Sequence, residues 1–98
     1  MSDRELLELA AKAAGHRPWG ADCEGYPIFV VGGLPMGWNP LTDDGDALRL
    51  AVRLRMTIVH WYNAVDVDQV EQEWSGNPEA DVRRAIVRAA AEIGQAKP

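Results

Sequence analysis

Residues 38–54 read Trp38-Asn39-Pro40-Leu41-Thr42-Asp43-Asp44-Gly45-Asp46-Ala47-Leu48-Arg49-Leu50-Ala51-Val52-Arg53-Leu54, a turn, a helix cap and a core helix in one run. Asn39-Pro40 favours a turn, because the proline ring keeps Asn39 out of the helical region. Thr42, Asp43 and Asp44 all suit an N-cap, since their side-chain oxygens accept from free backbone N–H groups. Asp43 with Asp46 makes a loose capping box, with Asp where Glu fits better. The acids of the first turn and Arg49, Arg53 and Arg55 beyond them complement the helix dipole. Ala47, Leu50, Ala51 and Leu54 recur at helical spacing, and Leu48 and Val52 widen the stripe. Only Asp46, Arg49 and Arg53 remain as a polar ridge, so the helix is expected to be covered over most of its circumference.

The flanks are read outward from this helix. Ser2-Asp3-Arg4-Glu5 is a capping box. Leu6, Leu9, Ala10 and Ala13 then recur at helical spacing, and Gly15 supplies a left-handed stop, which predicts a helix over 3–14. His16 to Gly25 reads as loop, with Pro18, Gly20 and Gly25 as breakers. Tyr26 to Val31 reads as a strand, and Pro27 suggests an edge position for it. Gly32-Gly33, Pro35 and Gly37 read as a loop leading to Trp38.

After the central helix, Met56 to Tyr62 reads as a strand with Met56, Ile58, His60 and Tyr62 on one face and Thr57, Val59 and Trp61 on the other. A third strand is expected within 65–74, and no strong hairpin dipeptide marks the turn near 63–68. Asn77 and Pro78 open the last helix as N-cap and first helical residue, with Glu79 and Asp81 complementing its dipole. Val82, Ile86, Ala89 and Ile93 form its stripe, and Gly94 is expected to end it. The predicted order is α-β-α-β-β-α. It gives one α+β domain over 1–98, with a small three-stranded, mainly antiparallel sheet and helices packed on it, expected on both faces.

Composition narrows the setting. Ninety-eight residues with 47% hydrophobic content suit one folded domain. One cysteine, Cys23, leaves no internal disulfide and no multi-cysteine zinc site. No stretch has the length of a membrane span, and the N-terminus lacks the pattern of a signal peptide, so a cytosolic protein is expected. The net charge of −5 disfavours generic nucleic-acid binding. The charge is also segregated. Residues 18–48 carry five acids and no base, and residues 66–82 carry six acids and no base.

The run at 38–54 resembles a motif in small proteins of bacteriophages and prophages, the group called the phage ABA sandwich domain. Ala80-Asp81-Val82-Arg83-Arg84-Ala85-Ile86-Val87-Arg88-Ala89-Ala90-Ala91-Glu92-Ile93-Gly94 looks like the closing helix of the same proteins, and residues 3–15 are similar to their start. The resemblance implies a three-layer helix–sheet–helix fold and phage origin, and with the cytosolic composition the expected setting is the host bacterial cytoplasm. It carries over no catalytic residue. The shared residues are caps and core stripes, which speak to fold more than to chemistry.

Side-chain chemistry points away from catalysis. Asp43, Asp44 and Asp46 lack the spacing of a calcium loop, and helix capping explains them. His16 and His60 have no partner at ligand spacing. Cys23 lies between Asp22 and Glu24, which raise a thiol's pKa rather than activating it. No nucleophile motif or phosphate loop is present. The chain is therefore expected to be no enzyme and to hold no metal or cofactor.

Two kinds of binding remain. An acidic face built from Asp66, Asp68, Glu71, Glu73, Glu79 and Asp81, with Asp43 and Asp44 beside it, would occupy a basic groove of a host defence protein or ribonucleoprotein, as some anti-CRISPR proteins do. Alternatively, Trp19, Trp38, Arg49 and Arg53 would sequester a nucleotide immune signal, as a sponge. A phage structural or regulatory role without anti-defence activity is the remaining possibility.

Overall fold

The computed structural model describes residues 1–21, 27–31 and 34–97. Cys23, Tyr26 and the Gly32-Gly33 pair lie outside them. Helix α1 spans Asp3–Ala14 and opens as the sequence predicts, with the Ser2 side chain accepting from the Glu5 N–H. It closes on Gly15, whose φ of 80° lets the His16 and Gly15 N–H groups return to the Ala11 and Lys12 carbonyls.

Strands β1 (Arg17–Ala21), β2 (Pro27–Val31) and β3 (Leu34–Gly37) follow as an antiparallel sheet with β2 in the middle. The expected loops at 16–25 and 32–37 are thus partly strand. Edge strands tolerate the prolines and glycines that break central ones, and the β1–β2 register shifts between Pro18 and Gly20. Pro27 does not mark an edge either. It opens the central strand, where a first residue needs no ladder N–H.

Helix α2 spans Asp44–Arg53. Asp43 caps it by accepting from the Asp46 N–H at 2.8 Å. Its C-terminus has the same wrap as α1, with Arg55 N–H reaching Val52 and Met56 N–H reaching Ala51, but the left-handed residue is Arg55 at φ 54°. Ala47, Leu50 and Ala51 are buried as the stripe requires. Leu48 and Val52 are not, being 62% and 67% exposed. The helix is covered on the side of Ala47, Leu50 and Ala51, where it packs against α3. Leu48 instead lines an open groove of about 410 Å³ with Ile58, Trp74, Val82 and Ile86.

Strands β4 (Ile58–His60), β5 (Ala64–Val67) and β6 (Val70–Glu73) form a second antiparallel sheet, in that order. The expected strand over 56–62 is shorter, and its end leaves the sheet: Tyr62 is 98% exposed. The single strand expected over 65–74 is a hairpin. Asp68 and Gln69 turn it with φ of 47° and 73°, the left-handed pair that a two-residue hairpin needs. The α+β class with antiparallel strands and helices packed on them holds. Among the described residues there are two small sheets where one was expected, and the order is α-β-β-β-α-β-β-β-α.

Helix α3 spans Pro78–Ala96, capped by Asn77 through the Ala80 N–H. It packs on β5 and β6, while α1 packs on β1 and β2. The α1–α3 contact is the most extensive in the molecule. The two helices run the same way: Asp3 pairs with Arg84, and Lys12 Nζ donates to the Lys97 carbonyl. Ala10, Ala13 and Ala14 of α1 and Ala85, Ala89, Ala90 and Ala91 of α3 are buried, so small side chains fill much of this core. Gly94 does not end α3. It is buried where a Cβ would stand 1.9 Å from the Leu9 carbonyl oxygen, so only glycine lets the backbones approach this closely.

Two stability results are expected. Gly94→Ala forces α1 and α3 apart and costs about 3 kcal/mol, read as a fall in the denaturant midpoint. Arg55→Gly removes a left-handed strain that only glycine escapes and stabilises by about 0.5–1 kcal/mol, read as a rise in the same midpoint. An unchanged midpoint in either variant contradicts the packing or the backbone geometry assigned to it.

Candidate functional site

The acids singled out in the sequence divide into two groups. Those near helix starts are committed to the fold. Asp43 caps α2, and Asp44 receives Arg83 Nη1 at 2.6 Å. The same Arg83 donates through Nε to the Leu41 carbonyl, which ties α3 to the approach of α2. Asp81 is buried, and its two oxygens accept from the Ser75 N–H and hydroxyl at 2.7 Å each. Asp81 is therefore no part of an exposed face. Burial of a carboxylate calls for such hydrogen bonds, and this pair supplies them. Asp68 is exposed, yet its Oδ1 accepts from the Thr57 N–H and holds the β5–β6 turn against the start of the sheet. Glu79 lies exposed in the first turn of α3, where it borders the open groove with Ile58, His60 and Trp74.

The second group shares a surface. In β5, Val65 and Val67 point into the core, so Asp66 points out. Register then places Val59 on one side of Asp66 and Glu71 on the other, and Glu73 lies opposite Ala64 on the same face. Asp66, Glu71 and Glu73 form an acidic strip on the solvent side of the second sheet. Among the described residues none of the three carboxylates has an ion-pair partner. Asp66 directly opposite Glu71 sets two like charges across a strand pair, an arrangement that costs stability. Arg88 could have relieved it. Instead its Nη1 donates to the Glu71 carbonyl and to Gln72 Oε1 on the edge and inner side of β6.

Beside the acids lie apolar groups. Trp61 is 56% exposed and Tyr62 stands out from the β4–β5 turn. Val59 is partly exposed in the same row as Asp66. The Trp74 indole N–H donates to the Trp61 carbonyl at 2.7 Å and fixes that turn from below. The His60 ring stacks on Trp74 at 6.1 Å. The signal in the sequence was Asn63, a turn residue that stops the β4 alternation two residues after Trp61.

The alternative set does not assemble. Trp38 is buried and meets Phe29 and His16 edge-on at 5.4 and 5.2 Å. Arg53 Nε donates to the Ala14 carbonyl at 2.6 Å, closing the C-terminus of α1. Arg49 pairs with Asp46 on α2. Trp19 alone of the four is exposed on a strand edge. Among the described residues no cluster of three or more His, Cys, Asp or Glu side chains could hold a metal ion, and no helix is long and apolar enough to cross a membrane.

Comparison of the chain with family models, with curated proteins and with solved structures finds no match. The geometry of the surface therefore carries the functional argument.

One titration is tied to this packing. Burial beside Trp38 pushes the His16 pKa below the usual imidazole range, the Arg53 charge pushes it further, and Asp46 partly opposes both. The unfolded chain therefore takes up the His16 proton first. His16 stabilises the fold above about pH 6.5 and loses that contribution as pH falls below it. Thermal melts at pH 7.5 and 5.5 should show the loss in the wild type and a smaller loss in His16→Gln. Equal losses in both proteins contradict the assignment.

Proposed function

We propose that this chain is a non-enzymatic accessory protein of phage type that inhibits a host defence system by binding a basic protein or ribonucleoprotein in the bacterial cytoplasm. The face it uses is the outer side of the second sheet, with Asp66, Glu71 and Glu73 as the charged strip and Trp61, Tyr62 and Val59 as apolar anchors. The phage setting rests on the resemblance of residues 3–15, 38–54 and 80–94 to phage ABA sandwich proteins, and the anti-CRISPR-like role rests on that setting together with the segregated acidic charge.

The observation that carries the binding face is the Asp66–Glu71 pair. A fold with arginines available elsewhere leaves two carboxylates opposed across a sheet, and sequences keep such local conflicts where function requires them. Exposed aromatic groups beside unpaired charge are also what a protein interface uses: the aromatics anchor, and the charges steer a partner of opposite sign. Repeated carboxylates on a flat sheet can stand in for phosphates in a groove that reads a nucleic-acid backbone.

Glu71→Lys separates this role from a structural one. A lysine opposite Asp66 turns repulsion into attraction and stabilises the isolated protein by about 0.5 kcal/mol. The same change weakens partner binding about tenfold or more. The measurement pairs a denaturant melt with affinity capture from bacterial lysate over a salt series, using wild type, Glu71→Lys and Asp66→Lys. Capture should fall steeply with salt and fall again in both variants. Capture indifferent to salt and to both reversals contradicts the proposal.

A further inference from the structure

A second surface lies between α1 and β1. Arg4, Glu8 and Lys12 recur every four residues and so line one flank of α1. Across from them, β1 presents Arg17 and Trp19, and the space between is a cleft of about 980 Å³. Phe29 closes its floor. A volume near the upper end of small-molecule sites suits a ligand larger than a simple anion.

Three cations against one carboxylate run counter to a chain of net charge −5. Helix stability does not ask for them all. Arg4 lies in the first turn of α1, where the dipole favours acids, and its neighbours Asp3 and Glu5 follow that preference. Glu8 neutralises only Arg4, at 3.4 Å. Trp19 is 61% exposed on a strand that ends its sheet, a costly place for the largest apolar side chain. A Cβ at the adjoining Gly20 would meet nothing within 4 Å, so the cleft is open beside the indole.

An exposed indole facing a row of cations recognises one kind of molecule, a flat aromatic group joined to an anion. We propose that the α1–β1 cleft binds a nucleotide, with Trp19 stacking on the base and Arg4 and Arg17 around the phosphate, while Lys12 stays on the Lys97 carbonyl at the cleft's edge. Of the residues expected for a nucleotide from the sequence, only Trp19 belongs to this site. It shares no side chain with the acidic face, so either proposal can fail without the other.

The test is calorimetric titration of the full chain with the four nucleoside monophosphates and a cyclic dinucleotide, followed in parallel by tryptophan emission. Adenosine and inorganic phosphate are the controls. At least one nucleotide should bind and quench emission, more tightly than either control, and added salt should weaken it. Trp19→Ala and Arg17→Glu should each weaken binding about tenfold. Both positions are exposed, so the variants should keep the wild-type melting temperature, which shows that they fold. The proposal is overturned if no nucleotide binds at concentrations of about 1 mM, if phosphate alone binds as well, or if both variants bind like the wild type.

Discussion

The contact between Gly94 and the Leu9 carbonyl sets the geometry of the whole molecule. It lets α1 and α3 lie side by side at a distance that no Cβ permits. Buried alanines on both helices extend the contact, and their small volumes mean that backbone proximity, rather than large side chains, supplies much of the dispersion energy. The two helices are parallel, so the intervening chain must travel back to its starting end. It does so through two hairpin-built sheets and α2. Each sheet packs on the helix nearer to it in sequence, β1 and β2 on α1 and β5 and β6 on α3.

Polar groups lock this arrangement at its ends. Arg53 reaches from α2 to the last turn of α1, and Arg83 reaches from α3 to the segment that opens α2. Lys12 and Lys97 each donate to a carbonyl of the other helix's end, through Lys97 and Ala13. The bonds to Ala13, Ala14 and Lys97 close helix C-termini whose carbonyls would otherwise lack partners. Together these contacts commit the cations Lys12, Arg53, Arg83 and Lys97 to backbone carbonyls. The carboxylates on the far side of the second sheet are left without any, and that is where charge becomes available for a partner.

The helices were legible because their signals are local. Ser2 with Glu5, Asp43 with Asp46, and Asn77 with Ala80 each lie within one turn, and the structure forms all three caps. The strands were less so. Pro18, Gly20, Pro35 and Gly37 carry breaker chemistry, and only the pairing to β2 shows that their strands lie on edges, where breakers are tolerated. Asp68-Gln69 turns a hairpin with a pair that lacks the usual glycine. Gly94 reads as a stop in a one-dimensional pattern and acts as a contact in three dimensions. The candidate site failed where charge alone guided the choice. Asp81 and Asp44 are acids in an acidic run, but Ser75 and Arg83, distant or unremarkable in sequence, claim them. Asp66, Glu71 and Glu73 stayed together because period-two alternation in strands, once register is known, decides which side chains share a face.

Native-state hydrogen exchange over the full chain reads the α1–α3 contact amide by amide. If the α1–α3 contact holds the molecule together, the amides of Ala10–Ala14 and Ala85–Gly94 exchange slowest, and both sets open together at the free energy of global unfolding. If the α1 amides exchange by a separate, cheaper opening while α3 stays protected, the two helices are not one core, and the account of the fold is contradicted.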